Sequence, residues 1–263
     1  MAELVNGLKE EQTIQGVGIS APGIIQKDGM MTTAGAIYSL YGTNLKEEME
    51  ARCQVPVIIE NDANAVAIAE RWLGNATSFD HYICLVLGTG VGGGIVINGQ
   101  VYRGARGIAG EFGLAVVANI PDSGVGDASL NKRAAVVGGL CRLYNEALVA
   151  NHSEFEETMD ARVIFEREAV DPIAKEIIAQ FYQDLAVGLL NLAANFDPEA
   201  ILIGGGISNS AAFIQRLKEE TAALEEKHDS IRGIKKYGWA PILPAKLTNN
   251  AGIVGAVYPF VQK

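Results

Sequence analysis

Cysteine is scarce: the 263 residues hold three, Cys53, Cys84 and Cys141, odd in number, widely spaced and without a CxxC pair. That excludes a disulfide framework and a zinc knuckle, and it fits a reducing, cytoplasmic setting. Positive charge is short as well. Against 31 Asp and Glu stand 21 Lys and Arg, a net charge of -10, and no basic cluster forms beyond the local pair Lys235-Lys236. Nucleic acid is therefore not an expected partner, because phosphate binding rests on clustered cations. Residues 1–12 carry Glu3, Lys9, Glu10 and Glu11 and lack the apolar core of a secretory signal. One uncharged run, Tyr82 to Tyr102, is long enough to imitate a membrane span, but six glycines and Asn98 interrupt it. It reads as strand, turn and strand, so no membrane is expected. Internal repeats and low-complexity segments are absent too. With 20% charged residues the composition is that of an ordinary globular protein, long enough for a large core and for two domains.

What is present is organised around Ile59-Glu60-Asn61-Asp62-Ala63-Asn64. The β-branched run Val55-Pro56-Val57-Ile58-Ile59 predicts a strand, and Val66, Ala69 and Leu73 predict a helix over 65–73, which places Asp62 in the loop between them. Ligands of open α/β sheets collect beyond the carboxyl ends of strands, so a carboxylate there is placed to meet a substrate. The plainer alternative is that Asn61, Asp62 or Asn64 caps the helix. Both readings stand on local grounds.

Along the rest of the chain, residues 1–12 predict a helix with Leu4, Val5 and Leu8 on one face, and Ile14 to Ser20 a strand ending in the turn Ser20-Ala21-Pro22-Gly23. Asp28 to Leu45 reads as a polar surface loop, with Thr32, Thr33, Tyr38, Thr43 and Asn44, able to wall a site; Lys46 to Gln54 reads as a short helix. Gly88-Thr89-Gly90-Val91-Gly92-Gly93-Gly94 joins the strands 83–87 and 95–97, and Asn98-Gly99 is a hairpin turn. Gly88-x-Gly90-x-x-Gly93 matches the dinucleotide fingerprint, which requires a helix to follow; a strand follows instead, and a nicotinamide enzyme is rejected. The same N–H groups, with the Thr89 hydroxyl, suit a phosphate cradle, or simply a tight turn. Glu111 is a second candidate carboxylate, between Gly110 and Gly113. Helices are expected over 130–150 and 171–195, the latter with a buried stripe of Ile173, Ile177, Phe181, Leu185 and Leu189. Between them runs a polar connection, 151–162. Gly204-Gly205-Gly206 follows the strand 200–203 and leads into a helix, a place for a flat ligand or for close packing. Leu247 to Asn250 would cap a last helix, Ala251 to Val261, rich in Gly and Ala and suited to tight contact.

Glu60-Asn61-Asp62-Ala63-Asn64, Leu87 to Gly94 and Ile203 to Ser208, in that order, resemble the ROK family of sugar kinases and related repressors, within the actin and hexokinase fold. Ala21-Pro22-Gly23, Ala105 to Gly113 and Asn250 to Ala256 fall where that family has matching segments. The resemblance implies an α/β, two-lobed, ribonuclease H-like fold: residues 1–80 with 248–263 form a sugar-side lobe and 81–247 an ATP-side lobe. It implies an ATP- and Mg²⁺-dependent kinase acting on a sugar 6-hydroxyl, and a homodimer. Asp62 would be the general base; Gly23, Asn44, Asn61 and Glu111 would meet the sugar; Gly88, Thr89 and Gly90 would hold phosphates; Gly204, Gly205 and Gly206 would face the adenosine. Asn131 stands where relatives place a further sugar-binding glutamate. Leu114 replaces the histidine, and no cysteines follow, where many relatives bind zinc, so no zinc is expected. That pattern, with Ala69-Glu70-Arg71-Trp72, is similar to the β-glucoside kinase branch. Family kinases open with a D-x-G-G-T hairpin that is not found here, so a truncated N-terminus is expected. The competing expectation is a sugar-binding or regulatory protein without catalysis and without a DNA-binding domain.

Overall fold

The computed structural model describes residues 1–35 and 37–262; Ala36 and Lys263 lie outside the described residues. In chain order the main elements are α1 (Ala2–Glu11), β1 (Val17–Ala21), β2 (Met30–Met31), β3 (Thr43–Asn44), α2 (Leu45–Cys53), β4 (Val57–Asn61) and α3 (Asp62–Leu73). Then come β5 (Tyr82–Leu87), β6 (Val91–Ile97), β7 (Gln100–Val101), α4 (Leu130–Ala134), α5 (Arg142–Ala150), α6 (Ala161–Arg167) and α7 (Pro172–Phe196). The chain closes with β8 (Ala200–Gly204), α8 (Ala211–Glu226), α9 (Asp229–Ile234), β9 (Ile242–Pro244) and α10 (Ala251–Val261). It divides into two units, the first of residues 1–84, 94–110 and 246–263, the second of 85–93 and 111–245.

In the first unit β1 and β4 pair in parallel, Val17 beside Val57 and Ala21 beside Asn61, so both strands end at the edge that carries Asp62. The connection between them is not the loose loop that its polar residues predict. β2 and β3 pair antiparallel within it, and Met31, wholly buried, joins Ala21, Ala34, Leu45, Met49, Cys53 and Val57 in a core. Met31 is the largest of the apolar side chains through which this segment is anchored to that core. α1 corrects another expectation: Leu4 is 70% exposed, and Val5 with Ala2 packs on the core instead. The Lys9 ammonium ties α1 to the end of α2 through the Cys53 carbonyl, 2.6 Å away.

α3 begins at Asp62, three residues before the apolar periodicity. Its buried alanines, Ala63, Ala65, Ala67 and Ala69, let neighbours approach closely. α10 does so: a methyl group at Gly255 would stand 1.8 Å from the Ala65 carbonyl oxygen. Trp72 meets Tyr258 at 5.2 Å between ring centres. At the far end of α3 the fully buried Glu70 carboxylate accepts the N–H groups of Asn75, Lys246 and Leu247, each at 2.8 Å. α10 has the expected bounds, but its first residue is preceded by a 3-10 turn, Thr248–Asn250, and no side chain caps it.

A five-stranded sheet has the order β7-β6-β5-β8-β9, with β8 and β9 parallel. The turn between β5 and β6 is shorter than the glycine run suggests. β6 starts at Val91, so Gly92, Gly93 and Gly94 lie in a strand rather than a turn. Asn98 and Gly99 take φ of 52° and 70° at the tip of the β6–β7 hairpin, as their sequence requires.

The core of the second unit gathers on α7. Asp171 caps it through the Ile173 N–H and accepts the Tyr144 hydroxyl at 2.6 Å; Pro172 occupies the first turn, where a missing N–H costs nothing. α7 is long and apolar enough to cross a membrane, but over half of its most apolar window is buried within the protein. Its stripe runs through Ala174, Ile178, Phe181, Tyr182, Leu185 and Leu189, while Ile173 and Ile177 are half-buried, one residue off the expected face. The helix expected over 130–150 is broken. Ala135 is extended (ψ 151°), and a π-helical stretch, Val136–Cys141, precedes α5. Val136-Val137-Gly138-Gly139 is poor helix sequence, and the N–H groups of Val136 and Val137 instead reach the Gly88 carbonyl at 3.0 and 3.1 Å.

Candidate functional site

The first unit offers a carboxylate edge. Capping falls to Asn61, whose side-chain oxygen accepts the N–H groups of Ala63 and Asn64, both at 3.0 Å. Its Nδ2 donates to the Gly23 carbonyl at 3.0 Å, joining the two strand ends. Gly23 itself must be glycine: its φ is +95°, and a methyl group would meet the Thr33 carbonyl oxygen at 2.2 Å. Glu60, buried behind Asn61, accepts the Asn61 N–H at 3.1 Å and pairs with the Arg103 guanidinium.

Asp62 is thereby released from capping. Ala63 is the other residue that donates to its carboxylate among the described residues, at 2.9 Å. The residue is exposed, yet the surrounding protein strips enough water from the carboxyl group for desolvation to raise its pKa above the usual carboxylate range. The N–H groups of Ala63 and of Asp62 itself oppose the shift without cancelling it. A solvent-reachable carboxylate with a raised pKa can accept a proton from a hydroxyl brought against it. Asn44 is half-buried in β3 and its side-chain oxygen caps α2 through the Glu47 N–H at 3.2 Å, which leaves its amide hydrogens for other partners. Of the set predicted to meet a sugar, the structure thus joins Gly23 and Asn61 directly beside Asp62 and gives Asn44 a fold role.

The second unit holds a cleft of about 1450 Å³. Gly88 and Thr89 line one wall and Gly206 another. The rest of the glycine triplet serves packing: Gly204 is buried at the end of β8, and a methyl group at Gly205, whose φ is +90°, would meet the Leu87 carbonyl oxygen at 2.0 Å. Gly88 and Thr89 turn their carbonyls to the N–H groups of Val136, Val137 and Gly138, and the Thr89 residue is exposed. Asn131, assigned to sugar contact from the sequence, holds this turn instead. Its side-chain oxygen accepts the Val91 N–H at 2.6 Å, beneath Gly90 and against Gly113. Glu111 is half-buried and precedes a 3-10 turn, Phe112–Leu114.

Most of the outer cleft was not legible in the sequence. Thr158 to Arg162, read as a polar connection, forms one side, and Phe165, Tyr182 and Arg216 another. Arg216 reaches both oxygens of Glu168, at 2.7 and 2.9 Å, and its guanidinium lies 4.5 Å from the Tyr182 ring centre. Glu168 follows the end of α6, Tyr182 lies in α7 and Arg216 in α8, so no local pattern could announce them. The cleft combines a glycine turn, the Thr89 hydroxyl and flat aromatic walls, which suits a nucleotide. Among the described residues no three His, Cys, Asp or Glu side chains gather as a cation cage.

The ROK family model matches residues 1–263. The chain is 38% identical over 264 residues to a β-glucoside kinase of Listeria innocua, covering all of this chain and 85% of the relative. Two solved structures superpose on nearly the whole chain. One is a ROK family protein of Streptococcus pneumoniae in complex with sucrose, 27% identical, TM-score 0.82, covering 100% of this chain and 86% of the other. The other is a ROK glucokinase of Streptomyces griseus in complex with glucose and AMPPNP, 28% identical, TM-score 0.74, covering 97% and 84%. The architecture is accordingly the actin and hexokinase type. This chain belongs to the ROK family.

Proposed function

We propose that this chain is a carbohydrate kinase that transfers the γ-phosphate of ATP to the 6-hydroxyl of a hexose or β-glucoside, with Asp62 taking the hydroxyl proton. The observation that carries the reading is the division of labour at the start of α3, where Asn61 caps the helix and leaves the Asp62 carboxylate to chemistry. Phosphoryl transfer asks little covalent work of a protein: a placed carboxylate for the nucleophile and donors for the phosphates. Gly88, Thr89 and Gly90 take the phosphates, Gly206 and the aromatic walls of the cleft take the nucleoside, and Mg²⁺ on the phosphates supplies charge neutralisation when bound. Glu111, the Asn61 amide hydrogen not given to Gly23 and the amide of Asn44 are assigned to sugar hydroxyls. The identity to a β-glucoside kinase and the glucose and sucrose held by solved relatives support a glucose-type ring as substrate.

The test is sugar-dependent ADP release with Mg²⁺-ATP across glucose, β-glucosides and N-acetyl hexosamines, with the phosphorylated carbon located by NMR. Release with glucose or a β-glucoside and phosphate on carbon 6 is the expected result. Sugar binding by calorimetry without ADP release would make the chain a sugar-binding module instead.

A further inference from the structure

In the cleft of the second unit a charge covers a ring. Tyr182 is 2% exposed, and the central carbon of the Arg216 guanidinium lies over it, 4.5 Å from the ring centre. Arg216 lines the cleft and keeps 31% of its side chain accessible. Of the two, the guanidinium is therefore the surface that a ligand reaches. It is also held at its edge. Nη1 donates to both oxygens of Glu168, at 2.7 and 2.9 Å, and Nε stands 3.9 Å from the Glu220 carboxylate, one turn further along α8. A planar group fixed by a ring on one face and by carboxylates at its edge has its other face left for a partner.

The remaining charges of the cleft are already engaged. Four charged side chains line it, Asp160, Arg162, Glu168 and Arg216, and they pair with one another. Arg162 donates through Nε and Nη2 to the two oxygens of Asp160, at 3.0 and 2.6 Å. The Thr158 hydroxyl accepts the Asp160 N–H at 3.1 Å, and the Ser210 hydroxyl the Phe213 N–H at 3.2 Å. Reading the edge of a base takes donors and acceptors that are still open. Stacking on its face takes only a plane, and every base has such a face.

We infer that Arg216, braced by Glu168 and Tyr182, is the plane on which the nucleobase stacks, a role that rests on the nucleotide reading of this cleft. Recognition by face tolerates different edges and favours the larger ring system. The phosphate donor is thereby widened from ATP to purine nucleoside triphosphates. Because the guanidinium is ordered before the base arrives, little further freedom is lost on binding.

The test measures dissociation constants by calorimetry, without sugar, for ATP, GTP, UTP and tripolyphosphate, the last having neither base nor ribose. The proteins are the wild type, Arg216→Lys and Arg216→Ala, with thermal melting to confirm that each is folded. In the wild type ATP and GTP are expected within about fivefold of each other, less than one good edge contact discriminates, with UTP weaker than both. Both substitutions are expected to weaken ATP and GTP about tenfold, the worth of one stacked base, and to leave tripolyphosphate within about twofold. Arg216→Lys keeps the charge and loses the plane, so ATP binding at the wild-type level in that variant overturns the proposal, and it decides alone if Arg216→Ala does not fold. Equal losses for ATP and tripolyphosphate overturn it too, since they mark a charge effect. So does a wild type that prefers ATP to GTP by more than about a hundredfold, the mark of edge reading. If nucleotides bind but no sugar is phosphorylated, the kinase reading fails while these ratios still decide Arg216. A wild type that binds no nucleotide overturns both.

Discussion

Removing the Glu70 carboxylate tests how α3 is held. Glu70 is fully buried, and its oxygens accept from Asn75, Lys246 and Leu247. Each hydrogen bond to a charged group contributes about 1.5–3 kcal/mol net, so three sum to about 4.5–9 kcal/mol if they were independent. They share one carboxylate and are not, and losses beyond about 5 kcal/mol from a single substitution are exceptional. Glu70→Ala, which leaves three donors facing a cavity, is therefore expected to cost about 4 kcal/mol. Glu70→Gln keeps one acceptor for Lys246 and Leu247 but turns an NH₂ toward the Asn75 N–H; about 2 kcal/mol is expected. At roughly 2–4 °C per kcal/mol for a chain of this size, Tm falls by about 8–16 °C and 4–8 °C respectively. Thermal unfolding followed by circular dichroism reads the loss, and hydrogen exchange at the Lys246 and Leu247 amides localises it. A Glu70→Ala penalty under about 1 kcal/mol, the value of a single neutral hydrogen bond, or protection unchanged at those amides, would refute the clamp.

Three further outcomes follow from the geometry. Gly255→Ala forces a methyl group onto the Ala65 carbonyl and is expected to cost about 1–3 kcal/mol or more in chemical denaturation, since α10 has no room to retreat. Asn131→Ala removes the acceptor of the Val91 N–H and is expected to raise KM for ATP more than KM for the sugar, read from steady-state kinetics. For pH, the folded-state pKa of Asp62 is raised, so its neutral form contributes stability that is present below the unfolded value, near 3.8, and lost as pH rises through the folded value. Asp62→Asn is expected to melt above the wild type at pH 7, with the gap closing as pH falls below that of the unfolded carboxylate.

How far the sequence foretold this structure varies with how local each signal is. β4, α7 and α10 were legible because β-branched runs, capping residues and glycine spacing act over a few neighbours. The start of α3 was misplaced by three residues because Asp62, Ala63 and Asn64 precede the apolar periodicity, while Asn61 decides where the helix begins. The break at Ala135 was invisible because the acceptors of the N–H groups after it, the carbonyls of Gly88 and Thr89, lie 48 or 49 residues before the donors they serve. The order within 28–45 depends on Met31, one apolar side chain that a polar average hides. Among the candidate residues, the positions of Asp62 at the end of β4 and of Gly23 in the turn after β1 followed from local motifs. Those of Arg216 and Glu168 did not, since their pairing spans 48 residues.

The most direct measurement is the turnover of Asp62→Asn against the wild type, with sugar binding followed by calorimetry in both. A general base contributes about 10²–10⁴-fold, so kcat is expected to fall by at least a hundredfold while the sugar dissociation constant stays within about threefold. A variant that keeps more than about a tenth of wild-type turnover, well short of what losing a general base costs, would contradict the assignment of Asp62.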